Sequence, residues 1–150
     1  LFTLEEAVAR VAAAAEAARA APSGFVLTAR TESFLRGNPD LDDVIRRLRA
    51  FAAAGAEVLM APGLPDLDAV RAVCAAVDRP GNFMGGIRGK SFSVADLQAA
   101  GVKRVSLATS LYRAAMTGLL SAAREVREQG TFGYLDGTLA TPELNAFMAG

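Results

Sequence analysis

The chain has 150 residues, 52% hydrophobic and 21% charged, which supplies apolar material for one core and excludes a disordered chain. Sixteen basic and sixteen acidic side chains cancel, so there is no electrostatic footprint for nucleic acid or an anionic membrane. There is no histidine, hence no imidazole general base or metal ligand, and the single cysteine, Cys74, excludes an internal disulfide.

Thr3 and Glu6 have capping-box spacing and predict an alanine-rich leading helix to about Ala21, within a segment 1–23 closed by Pro22-Ser23-Gly24. Phe25–Arg30 reads as a strand with Phe25, Leu27 and Ala29 on one face and Val26, Thr28 and Arg30 on the other. After the loop Thr31–Pro39, Asp40 caps a helix whose face is Leu41, Val44, Ile45, Leu48 and Phe51, and Gly55 closes it. The cycle then repeats. Strand Glu57–Ala61 precedes a helix marked by Leu67, Val70, Cys74 and Val77. A weaker strand, Asn82–Met84, precedes a short helix capped by Ser93 with Asp96. Strand Val102–Ala108 leads into a helix from about Ser110 to Glu128, capped by Ser110. The remainder, 129–150, has turn residues and scattered hydrophobics, too irregular for another βα unit; it is expected to lie across a neighbouring subunit.

Strands alternating with helices indicate a parallel sheet covered by helices, with four βα units over 24–128. Two architectures fit: a small open α/β sheet, or half of an eight-stranded barrel. In both, ligands bind at the loops after the strands.

Arg30 ends the first strand there, and its guanidinium suits a carboxylate or phosphate; the plainer reading is a structural ion pair with Glu32. Arg113 falls in the first turn of the last helix, where the macrodipole disfavours a cation but an anion would be welcome; a solvated arginine is the alternative. The run "GGIRGKS" (Gly85–Ser91) lacks the first glycine of a phosphate loop, since Met84 stands there, and reads instead as a loop over a barrel mouth. Cys74, between Val70 and Val77, is expected in the core rather than in chemistry. Gly81 would weaken its strand and leave a packing gap.

The segments "VLTARTESFLRG", "GAEVLMAPGLPD" and "ADLQAAGVKRVSLATSLYRAA" together resemble the isocitrate lyase/phosphoenolpyruvate mutase superfamily over roughly Leu4 to Phe132. The resemblance implies a TIM-type (β/α)8 barrel of which this chain, 1–150, is the second half, strands five to eight. It implies a Mg2+-dependent lyase or mutase that cleaves or forms a C–C or P–C bond in a small oxo- or dicarboxylate through an enolate-like intermediate. Arg30 would then be the catalytic, charge-stabilising arginine with Glu32 supporting it, and Asn82 and Arg113 would bind substrate. The metal ligands would lie on the first four strands, so none is expected here. Gly63 after Pro62, where many lyases carry glutamate, argues against methylisocitrate-lyase specificity.

The absence of an initiator methionine suggests a chain cut from something longer, inactive by itself. No apolar run approaches the ~18 residues of a membrane span, and the N-terminus has no basic region of a secretory signal. A cytoplasmic homo-oligomer is the expectation. The alternative is a stand-alone half-barrel, non-catalytic, whose exposed strand edges pair with another copy.

Overall fold

The computed structural model describes residues 1–149, which divide into two compact units, Leu1–Ala108 and Thr109 onward. The first unit runs α1 (Leu4–Ala20), β1 (Thr28–Arg30), a 3-10 turn (Ser33–Arg36), α2 (Leu41–Ala53), β2 (Val58–Met60), α3 (Leu67–Ala76), β3 (Gly81–Met84), α4 (Val94–Ala99) and β4 (Val102–Ser106). The second holds α5 (Ser110–Gln129), a 3-10 turn (Gly133–Gly137) and α6 (Thr141–Ala149).

Each helix of the first unit starts on a side chain that accepts an otherwise orphaned backbone N–H. Thr3 and Glu6 form the full capping box of α1. Asp40, Asp66 and Ser93 accept from Asp43, Ala69 and Asp96 at 3.0, 2.8 and 3.1 Å. In α5 the cap position belongs to Thr109 rather than Ser110, and it makes no side-chain cap bond. The strand-to-helix turn there is so short that Ala108 takes a left-handed φ of 49° and Thr109 is already near-helical, which turns its hydroxyl away from the cap geometry.

The four strands are parallel in the order β1-β2-β3-β4, with Arg30 opposite Met60, Met60 opposite Asn82, and Asn82 opposite Arg104. Strand β1 is shorter than Phe25–Arg30. Phe25 and Val26 are exposed and have no register partner, because β2 begins only at Val58. Ala29, Leu59 and Phe83 face the helices and join Val44, Leu48, Phe51, Val70, Leu97 and Val102 in one core. By strand alternation the opposite face carries Thr28, Arg30, Val58, Met60, Asn82, Met84, Arg104 and Ser106.

Gly81 leaves no packing gap. A Cβ there would stand 3.0 Å from Cys74 Sγ, so the sulfur occupies the space. Burial pushes the Cys74 thiol above its usual pKa, and Lys103 only partly opposes this, which keeps it an unreactive packing group. Gly81→Ala should cost ~1 kcal/mol by overpacking. Urea unfolding should show that cost shrinking when Cys74→Ala is added; an unchanged cost would assign it to the backbone instead.

Asp43 on α2 is buried against its own helix. Burial pushes its pKa up, but hydrogen bonds from Arg46 and from Arg47 (Nε–Oδ2 2.8 Å) outweigh it, and the result lies below the usual carboxylate value. Arg47 also donates to the Phe2 carbonyl at 3.1 Å, tying the chain's start to α2. A depressed folded pKa means the stabilisation is full above the ordinary value of 3.8 and is lost as pH falls through the folded one. Denaturant midpoints between about pH 6 and pH 2 should therefore fall more steeply for the native chain than for Asp43→Asn.

In the second unit, the segment after α5 is less irregular than its composition suggests. Leu144, Phe147 and Met148 recur at helical spacing on α6, and Pro142 sits in its first turn, where a missing N–H costs nothing. Glu125 of α5 accepts from the backbone N–H groups of Gly133 and Tyr134 at 2.5 and 3.1 Å, which anchors the 3-10 turn. No helix among the described residues is long and apolar enough to cross a membrane.

Candidate functional site

The carboxyl end of β1 is built from polar side chains with assigned partners. Thr31 N–H donates to the Met60 carbonyl at 3.1 Å, so the ladder continues one residue past the strand. Below it the Thr31 and Ser33 hydroxyls share a buried hydrogen bond of 2.8 Å. That pair seats the 3-10 turn, and the turn aims Glu32 back at the strand. Glu32 Oε1 lies 2.6 Å from Arg30 Nη2, while Oε2 holds Arg36 at 3.0 Å. One carboxylate therefore steadies two guanidinium groups and leaves the trio net positive. The Arg30 side chain keeps 51% of its exposure, so it is held at one end and open to an anion at the other.

Two strands away, Asn82 is buried with its amide oriented by Ser106 and Met60. Nδ2 reaches Ser106 Oγ at 3.0 Å and Met60 Sδ at 3.4 Å, and Ser106 Oγ lies 3.2 Å from Oδ1. Arg30, Met60, Asn82 and Arg104 thus form a single row across the sheet, with Arg30 and Asn82 about two strand spacings, ~10 Å, apart. Arg113 belongs to the second unit. It lies in the first turn of α5, its N–H bonded to the Thr109 carbonyl at 2.8 Å and its own carbonyl accepting from Thr117 Oγ1 at 2.7 Å.

Sequence reasoning missed Ser106 and Arg104. Both alternate with Val105, which packs on the core, so the period-2 rule placed them on the face shared by Arg30. An irregularity in the β3–β4 register after Gly81 hides that rule at the start of the strand, where Val102 and Arg104 pair with successive residues of β3.

The loops around this row are interlocked. Gly63 has φ of 88°, and a Cβ there would sit 2.9 Å from Leu35 Cδ2. A glutamate at that position would strain the backbone, and the end of the Leu35 side chain would have to shift. The Gly63 carbonyl accepts from Lys90 Nζ at 3.1 Å, joining the "GGIRGKS" loop to the loop after β2. No helix starts at Ser91; α4 begins at Val94 behind the Ser93 cap, so the arrangement is not that of a phosphate loop.

The residues present do not by themselves fit a magnesium ion. Among the described residues no three carboxylate, thiol or imidazole side chains come together, and Glu32 is already shared by two arginines.

The family model described as phosphoenolpyruvate phosphomutase matches residues 1–127. A candidate lyase/mutase of Burkholderia cenocepacia J2315 is 45% identical over all of this chain and 54% of its own, with a TM-score of 0.93. A candidate phosphonomutase of the same organism is 36% identical over 83% of this chain and 52% of its own, with a TM-score of 0.74. The phosphoenolpyruvate phosphomutase of Streptomyces platensis subsp. rosaceus is 26% identical over 99% of this chain and 51% of its own, with a TM-score of 0.76. Comparison with curated proteins gave no significant match. The chain spans about half the length of the solved proteins it resembles. Its parallel sheet with alternating helices is half of a TIM-type barrel, and the chain belongs to the phosphoenolpyruvate mutase/isocitrate lyase superfamily.

Proposed function

We propose that this chain supplies the anion-binding face of a lyase or mutase that acts on a small oxo- or dicarboxylate, breaking or making a C–C or P–C bond through an enolate-like intermediate. The observation that carries this reading is Arg30, half-exposed at the carboxyl end of β1 and steadied at 2.6 Å by Glu32. A guanidinium fixed there stabilises negative charge as it develops on a substrate oxygen. Asn82, oriented by Ser106 and Met60, is a second polar group for substrate; for Arg113, in the second unit, a carboxylate-binding role rests on the family resemblance alone. The magnesium ion that the superfamily implies has no ligand set among these residues, and none of their roles passes through it. The exposed Leu111, Tyr112 and Leu119 of α5 support a homo-oligomer, and a cytoplasmic setting accords with the lone, unpaired cysteine.

The test joins this chain to the part of the Burkholderia protein that it does not match and assays the product with Mg2+ against small oxo-acids, dicarboxylates and phosphonopyruvate-type acids. Turnover of one of these classes, absent from the 150-residue chain alone, is the expected result. A completed, folded barrel that binds and turns over none of them would overturn the proposal.

A further inference from the structure

An anion that reaches Arg30 also meets Glu32 and Arg36. All three side chains line one open cavity of about 570 Å³, and the other guanidinium in its wall, Arg47, is held by Asp43. Glu32 is the only ionic partner of Arg30 among the described residues, with Oε1 2.6 Å from Nη2. That pair by itself carries no net charge. A carboxylate so placed orients the guanidinium, but it also repels any anion that approaches.

Arg36 changes that balance. The 3-10 turn brings it four residues past Glu32, where Nε and Nη2 both donate to Oε2, at 3.1 and 3.0 Å. Gly37, with φ of 77°, ends the turn directly behind it, and the buried Thr31–Ser33 bond holds the front. The two-pronged grip on Oε2 fixes the carboxylate so that Oε1 is the oxygen offered to Arg30. It also offsets the charge of Glu32, which leaves Arg30 most of its attraction for a ligand anion.

We propose that Arg36 is a positioning residue of the anion site: it acts on Arg30 through Glu32 and does not itself touch the substrate. The inference rests on the reading of Arg30 given above and adds how the strength of that arginine is set. The plainer role for Arg36 is that of a surface ion pair, since its side chain keeps 68% of its exposure. The two roles differ in what they move. A surface pair affects stability alone, whereas a positioning residue affects the reaction, and only while Glu32 carries its charge.

The experiment is a double-mutant cycle in the joined barrel of the preceding test, with Arg30→Gln as the reference. Arg36→Gln should lower kcat/KM about tenfold while Tm stays within about 2 °C of native. In a Glu32→Gln background the same change should alter kcat/KM by less than about twofold, because no carboxylate charge is left to offset. Arg36→Lys keeps the charge without the fork and should recover part of the loss. Equal losses in the two backgrounds would overturn the proposal, since Arg36 would then act by itself; so would a lowered Tm with kcat/KM unchanged. An Arg30→Gln barrel as active as native would sink the anion-site reading and this inference together. A weakened Arg30→Gln beside an unchanged Arg36→Gln would sink this inference alone. If the joined barrel turns nothing over, the 150-residue chain gives the reading by NMR. The Arg30 Nε–Hε signal, identified by its loss in Arg30→Gln, should shift in Arg36→Gln and stay in place in Arg71→Gln, which breaks an exposed pair on α3. An Arg30 signal unmoved by Arg36→Gln would overturn the proposal.

Discussion

Replacing Arg30 with glutamine will lower kcat/KM of the completed barrel by about 10²–10³, the usual consequence of deleting one preorganised donor at a developing negative charge. The fold should be untouched. Arg30 is half-exposed and ion-paired with Glu32, an arrangement of the kind that contributes ~0–1 kcal/mol to stability. Arg30→Lys keeps the charge but loses the planar fork that bonds a carboxylate twice, so it should recover only part of the loss. Glu32→Gln removes the group that orients Arg30, and its loss should be smaller than that of Arg30→Gln because the cation itself remains. Steady-state kinetics beside Tm measurements separate these cases. Activity within about twofold of native in Arg30→Gln would show that the arginine serves only the ion pair with Glu32.

The largest stability effect is expected from Leu48→Ala. Leu48 is fully buried on the sheet-facing side of α2, in the core that includes Ala29, Leu59 and Val44. Removing it loses both the transfer free energy of the side chain and the contacts around the resulting cavity, about 2–5 kcal/mol. Leu119→Ala, on α5, should stay within about 0.5 kcal/mol, since that residue is 60% exposed. Urea titrations of the two variants give the contrast directly. Equal, small effects would mean that α2 does not clamp the sheet.

Much of this was legible because it rests on local rules. The alternating βα cycle, the caps at Thr3, Asp40, Asp66 and Ser93, and the helical faces of α2 and α3 depend on residues a few positions apart. So does the Arg30–Glu32 pair, which the sequence offered as one of two readings and the fold realises at 2.6 Å. The errors fell where a distant residue decides. Gly81 looked like a weak point in its strand, but Cys74 of α3 fills the space its missing side chain leaves. Phe25 and Val26 have strand propensity but no partner opposite them.

By itself, then, the sequence determined the parallel α/β class, the superfamily, and the placing of an arginine at the end of the first strand. The class and the arginine follow from periodicity and from residue types at fixed spacing, and the superfamily from the resemblance of whole segments; all survive without knowledge of neighbours. Only the tertiary structure decided that Arg30, Asn82 and Arg104 share one row, that Ser106 orients Asn82, and that Gly63 takes a left-handed φ beneath Leu35. Register between strands and close approach between loops are set by packing partners 20 to 80 residues away, roughly the span of one to three βα units, and no local pattern encodes them.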